Sequence, residues 1–293
     1  MDFGRVLTAM VTPFDDSGEH IDWNRLEVLV EHLVATGTET LVVAGTTGES
    51  PTLAHEEKIE LFRRVVELAK GRTKVIAGTG SNNTKATIAL SKEAEECGVD
   101  GLLLVAPYYN KPSQEGLYQH FKTVAESVGL PCILYNIPGR TSINIEIETQ
   151  LKLAEIPNII GSKESSTIEQ VSRLLAQAPR DFVVYSGDDK TLLPLLAVGG
   201  HGVISVASHV VGQPIKEMID HFFAGRIHEA IGLHQRLLPI FEGLFLTTNP
   251  SLVKEALNHI GVPVGPVRLP LVAAEEPLKQ KIHELLREWY PQK

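Results

Sequence analysis

The stretch 41-LVVAGTTGESPTLAHEEKIELFRRVVELAKGRTKVIA-77 contains two short apolar runs separated by an amphipathic segment. Leu41–Ala44 and Lys74–Ala77 have the length and composition of buried strands. Between them, apolar residues recur every three or four positions, at Ile59, Phe62, Val66 and Ala69. That spacing is typical of a helix with one buried face, and Gly71 marks its end. The stretch therefore predicts one strand–helix–strand unit.

The same unit repeats on both sides of this stretch. Asp22 has the position of an N-cap for a helix that ends near Gly37. The predicted strands are Val6–Val11, Leu41–Ala44, Lys74–Ala77, Gly101–Val105, Cys132–Asn136, Ile159–Lys163, Phe182–Ser186 and Gly202–Val206. These runs are apolar rather than alternating, as in parallel strands covered on both faces. The count favours a closed (β/α)₈ TIM barrel, with an open doubly wound sheet as the alternative.

Strand signals stop after about residue 224, and the rest of the chain has helical patterns. The predicted helical segments are Ile227–Phe245, Ser251–Ile260 and Pro277–Trp289. We therefore predict two domains, a catalytic barrel over residues 1–224 and a C-terminal helical domain over residues 225–293.

Composition excludes several classes of function. The 293 residues carry 27 Lys and Arg against 36 Asp and Glu, a net charge of −9, so binding to nucleic acid or to an anionic membrane is disfavoured. No apolar stretch is long enough to span a membrane or to serve as an export signal, and Cys97 and Cys132 are too few for a disulfide framework. We expect a soluble cytoplasmic protein.

No spacing typical of metal ligands or of a dinucleotide fingerprint is present, so neither a metal nor a cofactor is predicted.

The run Asn158–Glu164 carries the most informative candidate residue. In barrels of this kind the active site lies at the C-terminal ends of the strands, and this predicted strand ends in Lys163. A partly desolvated amine has a lowered pKa and can attack a carbonyl to form an iminium. By position alone, however, most lysines at strand ends are simply solvated, so Lys163 needs supporting residues.

Three other strand ends carry polar residues that allow two interpretations each. The loop Gly45–Ser50 could hold a small anion, or it could be a tight turn in which Ser50 or Thr52 caps the next helix. Tyr135 and Arg140 suit a carboxylate-binding rim, or a buried phenol and a surface ion pair. Asp188 and Asp189 are interpreted as a helix N-terminus rather than as metal ligands.

Taken together, the motifs at these strand ends resemble one family over essentially the full length of the chain. They are Thr8–Phe14, Gly45–Glu49, Pro107–Asn110, Tyr135–Thr141, Gly161–Glu164, Ser186–Asp189 and Gly199–Ser205. Their order and spacing resemble those of dihydrodipicolinate synthases, also called 4-hydroxy-tetrahydrodipicolinate synthases. The resemblance implies a pyruvate-dependent class I lyase on a (β/α)₈ barrel, without a cofactor, that condenses pyruvate with L-aspartate 4-semialdehyde for lysine biosynthesis by the diaminopimelate route.

The resemblance also implies a role for each catalytic residue. Lys163 matches the lysine that forms a Schiff base with pyruvate, and Tyr135 matches the proton shuttle. Thr46 and Tyr109 match the hydroxyls that complete the shuttle, with the second tyrosine supplied by a neighbouring subunit. A homotetramer built as a dimer of dimers is therefore expected.

The substrate-binding residues follow from the same resemblance. Thr46 and Thr47 would hold the pyruvate carboxylate, with backbone contacts near Ile204 and Gly187. Arg140 would receive the carboxylate of the semialdehyde. Related sugar-acid lyases, such as N-acetylneuraminate lyase and 2-keto-3-deoxy sugar acid aldolases, generally lack this arginine, and they are the nearest alternative. A non-catalytic keto-acid-binding barrel is the alternative from another class, and a metal-dependent aldolase has less support.

The chain departs from the family pattern near the lysine and near the expected regulatory site. Ser162 replaces a common Ile or Leu, and Ser165 replaces a common Ala. Members inhibited by lysine bind it near the positions of Ser50, His55, Asn82 and Tyr108. They often have His where this chain has Lys58 and Glu where it has Ala86. Because Lys58 would repel the ligand's ammonium and Ala86 cannot pair with it, we expect weak or absent inhibition by lysine.

Overall fold

Eight parallel strands pair in chain order, and the last pairs with the first, so that the sheet closes into a barrel. The structure is a computed structural model that describes residues 2–291. The strands are β1 (Val6–Ala9), β2 (Thr40–Val43), β3 (Lys74–Gly78), β4 (Gly101–Val105), β5 (Cys132–Asn136), β6 (Ile159–Glu164), β7 (Val183–Ser186) and β8 (Gly202–Ser205). The predicted (β/α)₈ fold class is confirmed.

Helices surround the barrel and continue beyond it. They are α1 (Trp23–Ala35), α2 (His55–Ala69), α3 (Thr84–Glu96), α4 (Gln114–Ala125), α5 (Pro138–Thr141), α6 (Ile147–Ala154), α7 (Ile168–Leu175), α8 (Leu192–Ala197), α9 (Ser208–Phe223), α10 (Ile227–Gly243), α11 (Ser251–His259) and α12 (Glu276–Leu286). Over residues 2–291, no helix has the length and apolar character needed to cross a membrane.

Local signals determine where the helices begin, and one of our two predictions about them is wrong. Asp22 caps α1 as predicted, since its carboxylate accepts the N–H groups of Asn24 and Arg25 at 3.0 Å. Neither Ser50 nor Thr52 caps α2, because residues 50–52 form a separate 3₁₀ turn. Instead the Glu57 carboxylate accepts the Ala54 N–H at 2.8 Å.

The apolar runs locate every strand but extend beyond some of them. The predicted first strand continued to Val11, whereas β1 ends at Ala9. Met10 and Val11 are fully buried in the core that follows the strand. Met10 still pairs with β2, since its N–H donates to the Val42 carbonyl at 3.0 Å, whereas burial without strand pairing accounts for the apolar character of Val11.

The three predicted C-terminal helices are present as α10, α11 and α12. Leu237 of α10 and Leu252 of α11 belong to the same apolar cluster as Leu29 of α1 and Phe62 of α2. The C-terminal segment thus packs on the outer helical layer. A boundary at residue 224 between two domains stays a prediction.

A buried ion pair connects the C-terminal segment to the loop after β2. Lys254 Nζ lies 2.6 Å from Glu49 Oε1, and both side chains are almost completely buried. Lys254 Nζ also donates to the Pro266 carbonyl at 2.8 Å, and the Arg268 N–H donates to Glu49 Oε2 at 2.8 Å. Glu49 has a left-handed backbone with φ of 56°, so these contacts hold a strained residue in place.

We predict that Lys254→Ala strongly destabilises the protein. Removing the ammonium leaves the Glu49 carboxylate buried without its partner charge, which costs about 3–5 kcal/mol. Urea unfolding measures this loss. Lys281→Ala is the matched control, because Lys281 is exposed and 3.9 Å from Glu284, and it changes stability by less than about 0.5 kcal/mol. Equal effects of the two substitutions would contradict this account of the pair.

Candidate active site

A cavity of about 370 Å³ opens at the C-terminal ends of β2 to β5. Thr46 from the loop after β2, Tyr135 from β5 and Arg140 from α5 line it. Tyr108, from the loop after β4, lies on the same wall. The predicted residues Thr46, Tyr135 and Arg140 therefore share one cavity.

Lys163 lies inside the barrel against the aromatic ring of Tyr135. The two residues are register partners on β6 and β5, and Lys163 Nζ is 4.3 Å from the centre of the ring. Only 5% of Lys163 is exposed. The pKa of its amine is lowered to about 8, mainly by burial; the Asp189 charge opposes this change and the Arg140 charge adds to it. A fraction of the amine is therefore neutral near physiological pH, much more than for a solvated lysine, and able to attack a carbonyl.

The Tyr135 phenol keeps its proton across the same pH range. Burial raises the pKa of Tyr135 to about 12, and the Arg140 charge and the hydroxyls of Ser165 and Thr46 oppose this rise. A neutral phenol beside a neutral amine can donate a proton to a reacting oxygen or nitrogen. The pair sets a nucleophile beside a proton donor inside the barrel.

Asp188 and Asp189 lie at the start of a short 3₁₀ turn, as the sequence suggested, but Asp189 is also a buried carboxylate. Asp188 does cap the 3₁₀ turn at residues 189–191, but Asp189 is only 1% exposed. Its Oδ2 accepts the N–H groups of Val206 and Ala207 at 3.1 and 2.9 Å. Burial raises the pKa of Asp189, and its charge in turn favours the protonated form of Lys163. The sequence did not reveal this burial, because it depends on β7 and β8 being adjacent.

A second buried carboxylate, Glu164, lies next to Lys163 in the chain. Its side chain accepts hydrogen bonds from Gln150 and Ser162 at 2.8 Å, from Asn136 at 3.1 Å and from Ser166. Burial raises the pKa of Glu164, whereas these four bonds lower it. The unusual Ser162 is thus one of the donors to a buried carboxylate.

The two threonines after β2 have different surroundings. Thr46 lines the cavity, whereas Thr47 is buried and its hydroxyl accepts a hydrogen bond from Asn249 Nδ2 at 2.8 Å. A hydroxyl that accepts one bond can still donate another. Sequence analysis did not identify Asn249, because it follows no strand and lies in the C-terminal segment just before Pro250.

Gly187 and Ile204 are not among the residues that line the cavity; Gly187 directly follows β7, and Ile204 lies on β8 inside the barrel. The Gly187 N–H donates to the Glu164 carbonyl at 2.7 Å, so this amide already has an acceptor. Ile204 is 1% exposed and belongs to the apolar cluster inside the barrel that includes Tyr135. Their predicted backbone contacts with substrate stay predictions.

Tyr109 lies outside the cavity of its own chain. Its side chain is 90% exposed, and its backbone has φ of 73°, which is rare for a residue with a side chain. The position is consistent with a tyrosine that serves another subunit.

Residues 2–291 contain no cluster of three or more side chains of the types that usually bind metals.

Comparisons with known proteins agree with the resemblance in the sequence. A sequence model of the dihydrodipicolinate synthetase family matches residues 2–289. A 4-hydroxy-tetrahydrodipicolinate synthase from Symbiobacterium thermophilum is 58% identical, with 98% of each chain covered.

Solved structures show the same fold. A dihydrodipicolinate synthase from Bacillus anthracis superposes with a TM-score of 0.96 at 49% identity, covering 98% of both chains. A synthase from Cyanidioschyzon merolae with lysine bound gives a TM-score of 0.95 at 47% identity, covering 97% of both chains.

We predict that Lys163 reacts as an amine with a pKa near 8. Cyanate carbamylates only neutral amines, so modification of Lys163 rises with a midpoint of about pH 8, well below the value of about 10.4 for a free lysine side chain. Peptide mass spectrometry at a series of pH values measures the midpoint, with a lysine dipeptide as the reference. Asp189→Asn removes the opposing negative charge and shifts the midpoint to lower pH. A midpoint near that of the dipeptide would rule out the desolvated amine.

Proposed function

The chain belongs to the dihydrodipicolinate synthetase family, and on this premise we propose that it condenses pyruvate with L-aspartate 4-semialdehyde through a Schiff base on Lys163. The enzyme is a lyase, as its relatives are. The observation that carries the proposal is the buried Lys163 amine, 4.3 Å from the centre of the Tyr135 ring. A desolvated amine of lowered pKa is what attack on a ketone requires.

The reaction begins with attack of the neutral Lys163 amine on the pyruvate ketone. Loss of water gives an iminium, which withdraws electrons from the methyl carbon and allows it to lose a proton. The resulting enamine forms a carbon–carbon bond to the aldehyde of the second substrate, and the aldehyde oxygen takes up a proton. The substrate's own amino group then displaces Lys163 and closes the ring.

These steps move protons between groups that are almost completely buried, so they need a relay. Tyr135 is positioned for this role because it lies against Lys163 and keeps its phenolic proton. The Thr46 hydroxyl lies close enough to the Tyr135 phenol to lower its pKa, and Thr46 also lines the cavity, so this hydroxyl would pass protons between the phenol and the cavity. Tyr109 would complete the relay from a second subunit.

Charged and polar groups at the rim fit the two carboxylates of the substrates. Thr46 and Thr47, with backbone groups near Ile204 and Gly187, would bind the carboxylate of pyruvate. The Arg140 guanidinium lines the cavity and would form two parallel hydrogen bonds with the carboxylate of the semialdehyde. A sugar-acid lyase would instead need donors and acceptors for hydroxyl groups.

The assembly and the cellular setting follow from the same proposal. Because the exposed Tyr109 is needed at a neighbour's site, the active unit would be at least a dimer, and we propose a homotetramer built as a dimer of dimers. The covalent bond to Lys163 would supply the activation of pyruvate, so no further cofactor takes part. A role in lysine biosynthesis in the cytoplasm completes the proposal.

We predict that the protein consumes pyruvate only when L-aspartate 4-semialdehyde is present, and that Arg140→Ala impairs use of the second substrate. Loss of a charge-assisted hydrogen-bond pair of about 1.5–3 kcal/mol corresponds to a fall in kcat/KM for the semialdehyde of about 10- to 150-fold. The KM for pyruvate stays within about twofold. Steady-state kinetics with each substrate varied in turn provide the measurement.

The control is Arg140→Lys, which keeps the charge but loses the paired geometry and gives an intermediate loss. Cleavage of sialic acid without turnover of the semialdehyde would instead support the sugar-acid lyase alternative. Binding of pyruvate with no turnover of either kind would support a non-catalytic barrel.

The region expected to bind lysine is part of the same cavity. Ser50, His55, Lys58, Ala86 and Tyr108 line it, whereas Asn82 is not on its wall. Burial lowers the pKa of Lys58. Bringing the ammonium of a lysine ligand beside this desolvated amine costs either charge repulsion or the loss of the Lys58 proton.

We therefore predict that L-lysine at sub-millimolar concentration leaves the steady-state rate unchanged. The combined substitution Lys58→His and Ala86→Glu removes the competing amine and adds a carboxylate, so it creates measurable inhibition. Inhibition of the parent protein by sub-millimolar lysine would contradict the prediction.

A further inference from the structure

Ser165 places a buried hydroxyl next to the Lys163 side chain. Ser165 follows directly after β6. Its backbone N–H donates a hydrogen bond of 2.9 Å to the carbonyl of Asn136, the last residue of β5. Ser165 is thus tied to the strand that carries Tyr135. Its Oγ atom is buried and has no partner of regular hydrogen-bond geometry among residues 2–291. Such an atom needs an explanation, because buried polar groups are normally paired.

The space around Ser165 Oγ is shared with Lys163 and Gly187. A Cβ built on Gly187 would lie 2.2 Å from Ser165 Oγ and 3.2 Å from Lys163 Cε. Only a glycine at position 187 therefore allows the hydroxyl and the lysine side chain to lie side by side. The serine is part of the interior of the site and not of its outer surface.

The phenol of Tyr135 is also within reach of this hydroxyl. Together with Thr46, Ser165 lowers the pKa of Tyr135 against the effect of burial. The Ser165 hydroxyl is near the Tyr135 phenol but does not have the geometry of a regular hydrogen bond to it. Catalytic hydrogen bonds are often long or poorly aligned before substrate binds and tighten when the reacting complex forms.

We propose that Ser165 is a positioning residue for Tyr135, and that its hydroxyl hydrogen-bonds the phenol oxygen while the phenol serves the adduct on Lys163. The inference rests on the proposed function. No covalent bond to Ser165 forms or breaks; the hydroxyl orients the phenol and polarises its O–H group. Because many members of the family have Ala here, Ser165 is a feature of this chain rather than a requirement of the fold.

The test is the exchange of the pyruvate methyl protons in D₂O, followed by NMR without the second substrate. This exchange reports enamine formation and proton transfer at the adduct. We expect Ser165→Ala to lower the exchange rate and kcat by about 3- to 10-fold, the worth of one hydrogen bond. The KM for pyruvate stays within about twofold, because the hydroxyl acts on the phenol.

A double-mutant cycle with Tyr135→Phe separates this role from others. If Ser165 acts through the phenol, Ser165→Ala has no further effect on exchange in the Tyr135→Phe background. Ser162→Ala is the matched control, since Ser162 is a buried serine of β6, the strand that Ser165 follows, and its hydroxyl donates to Glu164. It lowers the melting temperature and leaves the exchange rate unchanged.

Two outcomes overturn the inference while leaving the proposed function intact. One is a Ser165→Ala protein that is folded, as judged by its melting temperature, and that exchanges at the parent rate. The other is an equal loss of exchange rate when Ser165→Ala is introduced into the parent and into the Tyr135→Phe protein. That result would mean that the hydroxyl acts on pyruvate itself or contributes only to packing. A parent protein that forms no enamine and shows no exchange would remove the proposed function together with this inference.

Discussion

The removal of the Lys163 amine from water is the constraint on which the site depends. Closure of eight parallel strands leaves no edge, so a lysine whose side chain points inward has no route to bulk solvent except the mouth of the barrel. The register that pairs Lys163 with Tyr135 then sets a phenol against the amine. Burial shifts the two pKa values in opposite directions, so the phenol stays protonated and a fraction of the amine is neutral near physiological pH.

The C-terminal segment contributes to the site without lining the cavity. The buried pair of Glu49 and Lys254 and the bond from Asn249 to Thr47 hold the loop after β2, which presents Thr46 to the cavity. Stability and the shape of the cavity are connected here, because the contacts that fasten the C-terminal segment to the barrel also hold the loop that carries the cavity-lining Thr46. The same contacts hold Glu49 in its left-handed backbone conformation.

Features that depend on the local pattern of the chain could be predicted from the sequence. The apolar runs located all eight strands, and the residues at their ends included Lys163, Tyr135, Thr46 and Arg140. Features that arise only when distant segments meet could not be predicted. Asp189 is buried because β7 and β8 are neighbours, and Asn249 reaches Thr47 across about two hundred residues of chain. The roles assigned to the site residues stay predictions.

Reductive trapping with pyruvate tests the central claim most directly. The protein is incubated with pyruvate and borohydride, digested, and its peptides are mapped by mass spectrometry, with Lys163→Arg as the matched control. The account predicts a reduced pyruvyl adduct on Lys163 of the parent and none on any peptide of the control. A folded parent protein without an adduct, or with the adduct on another lysine, would contradict the Schiff-base mechanism.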